Sequence, residues 1–353
     1  MDSTTKITKE TKNKIRADFE RTPFWERMRA KFINLYTVKR VVWYLFRFLL
    51  LLGISYVILF PFYTKLASSF MSPEDFVDVT VRLLPRHPTL ETYRAIIVDN
   101  KYLTALLNTF VLSLTCGVLQ TFVCCVIGYG FAKFKFKGNN LLFLLVIFTM
   151  VVPHTTLQLS LFMEFRYFDI FKLGDKFGLI NFLGGGVFDS IKILDVTSIN
   201  MINTNLPLYI LSITGLAYKN GLYIFLLRQF FRGIPDELEE SAYLDGSGVF
   251  STFVRIIIPL SVTMMVTVFM FSFCWQWTDN FYTELFYTTS GELLLPDIIK
   301  VPKSLDTNYA GQALYTAAIR NACGILIIAP LIVLYLFGQR YIVEGIERSG
   351  ITG

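Results

Sequence analysis

The composition of this 353-residue chain excludes an ordinary soluble domain. Hydrophobic residues make up 54% of it and charged residues only 17%, whereas soluble domains average about 45–50% apolar and about 25% charged residues. The net charge of +6 comes from basic residues beside apolar segments, which is typical of membrane topology rather than of nucleic-acid binding. We therefore expect an all-α, polytopic membrane protein.

The N-terminal 40 residues form a basic arm, with eleven Lys or Arg against five acidic residues. Residues 1–18 have the composition of a disordered segment. Thr22 is a candidate N-cap with Pro23 at the first helical position. Apolar residues then recur at helical spacing: Trp25, Met28, Phe32, Leu35 and Tyr36. This pattern predicts a helix lying on the inner leaflet; a basic tail that only sets topology is the alternative.

Six apolar stretches are long enough to cross a bilayer, which takes about 20 residues. They are approximately 41–63, 103–131, 141–163, 206–230, 257–281 and 314–338. We expect a helix in each, because neighbouring helices can satisfy the carbonyls that prolines leave free. The prolines concerned are Pro153, Pro259 and Pro330.

Basic residues orient these spans. The arm and the loop with Lys133, Lys135 and Lys137 are both placed in the cytoplasm by the positive-inside rule. Six spans then put both termini and the loop 232–256 in the cytoplasm. The segments left outside are 64–102, 164–205 and 282–313.

The long segment 164–205 contains three consecutive glycines, Gly184 to Gly186. No Lys-Ser/Thr pair follows them, so a flexible turn is favoured over a phosphate-binding loop.

The five cysteines, all inside apolar runs, indicate neither a disulfide framework nor a metal site. They are Cys116, Cys124, Cys125, Cys274 and Cys323. No secretory signal peptide is expected either, because the charged start lacks an apolar core with a cleavage site.

Polar residues that interrupt or end a span are candidates for a substrate path. Lys219 and Asn220 interrupt the fourth stretch, and an ionisable residue at that depth indicates a function. For Lys219, lining a water-filled path and neutralisation by a partner helix remain equal alternatives. Gln276, Trp277 and Asn280 end the fifth stretch. Aromatic and amide groups suit sugar rings, but an interfacial tryptophan explains Trp277 equally well.

No group of residues in the chain has the pattern of a catalytic site. A G-x-x-x-x-G-K-[ST] motif is missing from the sequence, so any ATP hydrolysis would need another chain. The two histidines, His87 and His154, lie far apart. For His154 a hydrogen-bonded packing role is favoured over a ligand or proton-relay role.

The acidic segment from Ile234 to Leu260 has the pattern of a rigid helical knob. Asp236 is a candidate N-cap, and Glu239 would complete a capping box. Gly246 can adopt a positive φ and end the helix. An apolar stripe would consist of Leu238, Ala242 and Tyr243. The alternative is a helix that only touches lipid, and its acidic residues argue against contact with an anionic leaflet.

Glu240-Ser241-Ala242, followed by Gly246 and by Ile256-x-Ile258-Pro259, resembles the E-A-A-x3-G-x9-I-x-L-P motif. That motif marks inner-membrane permease subunits of binding-protein-dependent ABC importers. The spacing matches throughout, with Ser241 in place of the second motif residue and Ile258 in place of leucine.

Further segments are similar to the carbohydrate branch of that family, the maltose-transporter type. They are Tyr223–Gly246, the span start Leu107-Asn108-Thr109, the span end Trp277 to Asn280 and the tail from Gly338. The resemblance covers residues 41–353, and both the arm and the segment 164–205 are longer than the family pattern.

The resemblance implies the type I ABC importer permease fold: six transmembrane helices in residues 41–353 after a cytoplasmic arm, 1–40. A coupling helix would lie in the cytoplasmic loop 232–260 and dock on an ATPase subunit, with Glu240 pairing to a basic residue there. The residues implied in coupling are Asp236, Glu239, Glu240, Ser241, Ala242, Gly246 and Pro259.

The resemblance also implies a transport subunit in a bacterial cell membrane, not an enzyme. Its partners would be a second permease, two copies of a cytoplasmic ATPase subunit that bind ATP and Mg, and an extracellular binding protein that delivers a sugar, an oligosaccharide in particular. This chain itself would hold no cofactor. The loop 282–313, with Asn308-Tyr309, would reach toward the binding protein. The enlarged segment 164–205 would extend that surface or cover the partner permease.

Three other functions remain as alternatives. The chain could import a non-sugar solute. A membrane enzyme of lipid or glycan synthesis would need Asp, His and Arg clustered at one membrane face, which the sequence does not show. An ion-coupled secondary transporter would need internal repeats and intramembrane carboxylates, and the apolar stretches contain essentially no carboxylate.

Overall fold

The computed structural model describes residues 25, 35–168, 200–288, 293–305 and 311–348. Within these ranges the backbone is helix, turn and loop, apart from one isolated bridge between Met71 and Pro88. The chain divides into two units, Met1–Lys65 and Leu66–Gly353. Several predictions fall outside the described residues: most of the arm helix, the triple glycine, Asn308-Tyr309 and the last residues of the tail.

Four of the six predicted spans are long apolar helices among the described residues. The helix α1 (Leu35–Ser69) contains the first. After the short α2 (Glu91–Asp99), the second is α3 (Tyr102–Lys133). The last lies in α12 (Gln312–Arg348). The fifth predicted stretch belongs to a continuous apolar helix, Val249–Trp277. Each of the four is long and apolar enough to cross a membrane.

The helix through Val249–Trp277 contains a π-helical segment just before a proline. It runs as α9 (Val249–Thr252), the π segment Phe253–Ile257 and α10 (Ile258–Trp277). Pro259 has no N–H to offer, and its ring would clash with the carbonyl four residues earlier. A π turn shifts the hydrogen-bond register at this point and lets the helix continue.

The third predicted stretch is not one straight helix. The helix α4 (Asn139–Val151) ends before Pro153. A 3-10 turn and α5 (Gln158–Arg166) follow, bent by 94° from α4. Val152 is extended, with φ −69° and ψ 120°, which is the conformation that a following proline favours. The expectation that the helix would continue past Pro153 is wrong.

The fourth predicted stretch is also interrupted. It consists of α6 (Leu206–Ile213) and α7 (Asn220–Arg232). Between them, Gly215 has a φ of 76° and Lys219 a φ of 71°, and a helix cannot pass through such residues. Neither piece has the roughly 20 residues that a span needs. The described residues therefore contain four spans, or five if the bent pair is counted as one, and six remains a prediction.

Pro330 inside α12 shows how a proline can be accommodated. The missing N–H of Pro330 leaves the Leu326 carbonyl without its helical donor. The hydroxyl of Tyr102 donates to this carbonyl at 3.0 Å. A side chain from α3 thus replaces the lost hydrogen bond, as membrane helices require.

The helix α3 lies at the centre of the unit Leu66–Gly353 and packs on α6, α7 and α10. Gly128 lets two backbones approach closely, because a Cβ there would lie 2.9 Å from Cβ of Leu227. Small residues serve this purpose in membrane proteins. A polar link joins three helices: the Gln120 amide donates to Ser212 Oγ at 3.2 Å and accepts from Ser272 Oγ at 2.8 Å.

The cysteines are free, as predicted. Four of them are buried, and Cys274 is half-buried. They contribute to the same apolar contacts as their neighbours, since Cys124 and Cys125 lie in a buried cluster with Tyr223 and Leu227.

Candidate functional site

A short helix, α8 (Glu237–Leu244), forms the centre of the predicted knob. Gly246 follows it with a φ of 84°. The Gly246 N–H donates to the Tyr243 carbonyl at 3.0 Å, and the Ser247 N–H donates to the Ala242 carbonyl at 2.9 Å. These two bonds define a Schellman motif. The prediction that Gly246 ends the helix is confirmed.

The capping box predicted at the other end of α8 is not formed. Asp236 precedes the helix, but its side chain accepts no backbone N–H of the first turn. Its backbone is helical, with φ −68° and ψ −24°, whereas a capping side chain needs an extended backbone. The carboxylate instead accepts a hydrogen bond from Lys133 Nζ at 2.6 Å. Lys133, which is distant in the sequence, thus binds the carboxylate that was predicted to cap α8.

Lys133, the last residue of α3, anchors the knob. Its Nζ donates to the Ile234 carbonyl at 2.7 Å and lies 3.4 Å from Glu239 Oε1. The Tyr129 hydroxyl donates to Glu239 Oε2 at 3.2 Å. The side chain of Lys133 is 7% exposed and that of Glu239 9% exposed. We call Tyr129, Lys133, Ile234, Asp236 and Glu239 the Lys133 network.

The network has an electrostatic and a mechanical consequence. The hydrogen bond from Lys133, and then its charge, hold the pKa of Asp236 below its ordinary value. Two buried residues, Lys133 and Glu239, join the knob to the end of α3. The knob is therefore held by α3 as well as by α7 and α9, which flank it in the sequence.

The outer surface of the knob combines acidic and apolar side chains. Glu240 and Ser241 are exposed, while Ala242 is buried, so the predicted apolar stripe is divided between two sides. Leu244 is 89% exposed and Phe250 79% exposed. Leu238 and Tyr243 are also exposed. These exposed apolar side chains lie on or beside the same short helix as the exposed acids.

The last predicted coupling residue, Pro259, lies at the start of α10, after the π segment. It is exposed. Pro259 therefore belongs to the long helix that follows the knob and not to the knob itself.

A second feature is a cavity of about 570 Å³, within the size range of small-molecule sites. It lies where α4 breaks, where α6 gives way to α7 and where α10 ends. Its polar and aromatic lining includes His154, Tyr218, Lys219, Trp275, Asp279, Asn280 and Tyr282.

The structure brings two of the five predicted path residues to this cavity, Lys219 and Asn280. Gln276 lines a smaller adjoining pocket. Asn220 is 1% exposed and does not line the cavity. Trp277 is 2% exposed, and its Nε1 donates to the Ile327 carbonyl at 3.0 Å. Trp277 is thus a core residue of the α10–α12 contact rather than an interfacial tryptophan.

Four of the lining residues named above were not among the predicted path residues: Tyr218, Trp275, Asp279 and Tyr282. All four lie near a helix interruption, since Tyr218 precedes Lys219, Trp275 is in the last turn of α10 and the other two follow the end of α10. His154 was favoured as a packing residue, and its Nδ1 does lie 3.2 Å from the Tyr282 hydroxyl. The ring of His154 also packs edge-on against Tyr218, with 4.2 Å between centroids.

Long apolar helices, an anchored polar knob and a cavity at helix interruptions are typical of a multi-pass membrane transport protein. A family model described as binding-protein-dependent transport system inner membrane component matches residues 125–348, which is more than half of the chain. The chain belongs to this family. It is an ABC transporter permease, a transport component and not an enzyme.

Relatives support this assignment along most of the chain. The inner membrane ABC transporter permease protein YcjP of Escherichia coli (strain K12) is 24% identical over 299 residues, covering 84% of this chain and 92% of the relative. The galactooligosaccharides transport system permease protein GanQ of Bacillus subtilis (strain 168) is 25% identical over 320 residues, covering 90% and 98%.

A solved structure shows the same fold. It is a bacterial ABC transporter involved in the import of the acidic polysaccharide alginate. The TM-score is 0.62 at 18% identity, and the match covers 87% of this chain and 99% of that chain.

Proposed function

We propose that this chain is one of two permease subunits that together form the membrane path of an ATP-driven sugar importer. The sugar, an oligosaccharide in particular, would be delivered by an extracellular binding protein. The name of the Bacillus subtilis relative, which transports galactooligosaccharides, supports this substrate class. The cavity supports it as well, because ring faces and hydroxyl groups lie together there.

The observation that carries the proposal is the anchored knob. The helix α8 is too short and too exposed to be a membrane element, yet its two ends are fixed by the Schellman motif and by the Lys133 network. A rigid element on a polar loop transmits force when a partner binds it. The partner would be a cytoplasmic ATPase subunit, present in two copies, that holds ATP and Mg.

In this arrangement Glu240 and Ser241 face the ATPase, and Glu240 pairs with a basic residue there. The exposed Leu244 and Phe250 would fill apolar contacts of the same interface. Closure of the ATPase pair would move α8, and α3 would follow because Lys133 joins the two. The proposed topology has six spans, both termini in the cytoplasm, and the loop 282–313 facing the binding protein.

Purification of the assembled importer tests the proposal. A tagged chain, purified from the membranes of its own host, should bring down a second permease and an ATPase. In proteoliposomes, ATP hydrolysis should rise when a sugar-loaded binding protein is added. Glu240→Lys should reduce the stimulated rate at least about tenfold, since reversing a charge at an interface costs several kcal/mol.

Glu237→Lys is the matched control, because Glu237 is an exposed acid of the same helix. An equal loss in both variants would point to a general charge effect instead of a specific pair. ATP-driven uptake of a non-sugar solute, with no response to any sugar, would replace the substrate class while leaving the coupling proposal in place.

A further inference from the structure

The cavity at the helix interruptions contains the ammonium group of Lys219, for which the described residues supply aromatic faces and no ion-pair partner. Nζ of Lys219 lies 4.4 Å from the ring centroid of Tyr218 and 4.8 Å from that of Trp275. Two aromatic faces stabilise an ammonium group by cation–π contact, but they leave its N–H donors without strong acceptors. Across the ranges that the structure describes, no carboxylate forms an ion pair with Nζ.

Asp279 lines the same cavity, but its carboxylate has other partners. Its Oδ2 accepts the backbone N–H of Tyr282 at 3.0 Å and that of Thr283 at 3.1 Å. These residues lie in the first turn of α11 (Phe281–Phe286), so Asp279 serves the start of that helix. Among the described residues, Asp279 is the one carboxylate in the cavity lining, and it forms no ion pair with Lys219.

The backbone at Lys219 holds the side chain in this position. Its φ of 71° lies in the left-handed region, which is unfavourable for a residue with a side chain. The carbonyl of Lys219 accepts from the Tyr223 N–H at 3.1 Å, and the next N–H, of Asn220, donates to Ala217 at 3.0 Å. This left-handed backbone fixes Lys219 at the junction between α6 and α7.

We propose that the cavity binds the solute during passage and that Lys219 selects a sugar bearing a negatively charged group, a carboxylate or a phosphate. This inference rests on the proposed sugar-importer function. Charge-assisted hydrogen bonds to such a group are stronger than those to a neutral hydroxyl. Trp275 is 47% exposed and offers a face to the apolar side of a sugar ring, while Asn280 supplies an amide.

The competing explanation is that an acidic residue of the partner permease neutralises Lys219 in the assembly. The two explanations differ in measurable ways. A solute site predicts an effect of Lys219 that depends on the charge of the sugar. A structural ion pair predicts an effect on assembly that is the same for every sugar.

The experiment uses the complete importer in lipid nanodiscs without nucleotide. Equilibrium binding is measured by calorimetry for three probes of matched shape: cellobiose, cellobiouronic acid and cellobiose 6′-phosphate. The wild type should bind at least one acidic probe at least about tenfold more tightly than cellobiose, because a hydrogen bond to a charged group adds that much. The two acidic probes distinguish carboxylate from phosphate.

Lys219→Met should remove this preference, so that acidic and neutral probes bind alike, while Lys219→Arg should retain it. Trp275→Phe should weaken the binding of all three probes without changing the ratio of their affinities. The inference is overturned if the wild type shows no preference for either acidic probe. It is also overturned if Lys219→Met weakens the three probes equally, or if the preference survives in that variant.

Failure of the proposed function gives a different result. An assembly that transports no sugar and whose ATP hydrolysis no sugar-loaded binding protein stimulates refutes the importer proposal. An assembly that takes up neutral sugars normally and ignores acidic groups refutes only the role of Lys219. If the Lys219→Met variant does not assemble, the wild-type preference for acidic over neutral probes still tests the inference, because that measurement needs no variant.

Discussion

Replacing Lys133 by methionine should weaken the attachment of the knob to α3, leaving the hydrogen bond from Tyr129 to Glu239. Methionine fills the volume of the lysine stem but removes three interactions of Nζ: those with the Ile234 carbonyl, Asp236 and Glu239. Because Asp236 is 79% exposed, its carboxylate can turn to water. Loss of the Lys133–Asp236 ion pair therefore changes the free energy of unfolding little. The main cost comes from Glu239, whose charge stays buried.

Breaking a buried ion pair by removing one partner costs about 3–5 kcal/mol. Glu239 keeps the hydroxyl of Tyr129 at 3.2 Å, so we expect the lower end, about 3 kcal/mol. In the double variant Lys133→Met/Glu239→Gln no buried charge is left unpaired, because only the exposed Asp236 keeps its charge. It should recover at least about 1 kcal/mol relative to the sum of the single variants.

Denaturant titration of the purified chain in detergent measures the free energy of unfolding. The ratio of ATP hydrolysed to sugar transported measures coupling, and Lys133→Met should raise it. Lys137→Met is the control, because Lys137 is exposed in the same loop. The reasoning is refuted if Lys133→Met and Lys137→Met are equally stable. It is also refuted if the loss in the double variant equals the sum of the losses in Lys133→Met and Glu239→Gln.

Three further predictions concern backbone and packing. Gly246→Ala should cost about 1 kcal/mol for the left-handed residue, with Gly248→Ala, at φ −78°, close to neutral in the same titration. Gly128→Ala should cost about 1–3 kcal/mol by overpacking, because its Cβ would meet Leu227 at 2.9 Å. Gly130→Ala, with open space at its Cβ, should cost nothing, and equal effects would contradict the packing argument. Tyr102→Phe should lower the free energy of unfolding by about 1–3 kcal/mol by stranding the Leu326 carbonyl, and the exposed Tyr335 provides the matched Tyr→Phe control.

Two prolines in apolar helices show where local sequence stops being decisive. Pro153 ends α4, and the chain turns by 94°. Pro330 leaves α12 continuous. Both are prolines in long apolar runs, so the sequence predicts the same behaviour for both. At Pro330 the outcome depends on the hydroxyl of Tyr102, which lies far away in the sequence and close in space.

The knob shows the same division between local and distant effects. Its helix stop at Gly246 was predictable, because a positive φ after a helix favours glycine. Its helix start was not, because the expected cap Asp236 is bonded to Lys133. The residue that organises the network lies at the end of another helix, and only its charge was visible in the sequence.

The set of residues that line the cavity was the feature least predictable from the sequence. Lys219 was identified from its cost at membrane depth, which is a property of one residue. Trp275, and not Trp277, faces the cavity, since Trp277 is buried against α12. Composition does not tell which of two tryptophans two positions apart will find a partner helix.

The sequence alone determined that this protein lies in a membrane, where the knob ends and which family motif the knob carries, and it located four helices that are long and apolar enough to cross the membrane. These properties follow from local physics, because backbone groups in lipid must be bonded within their own segment. Tertiary structure alone decided that two stretches break, that Lys133 holds the knob and that Lys219 meets Trp275 in a cavity. Those outcomes depend on side chains that are distant in sequence and meet only when the helices pack.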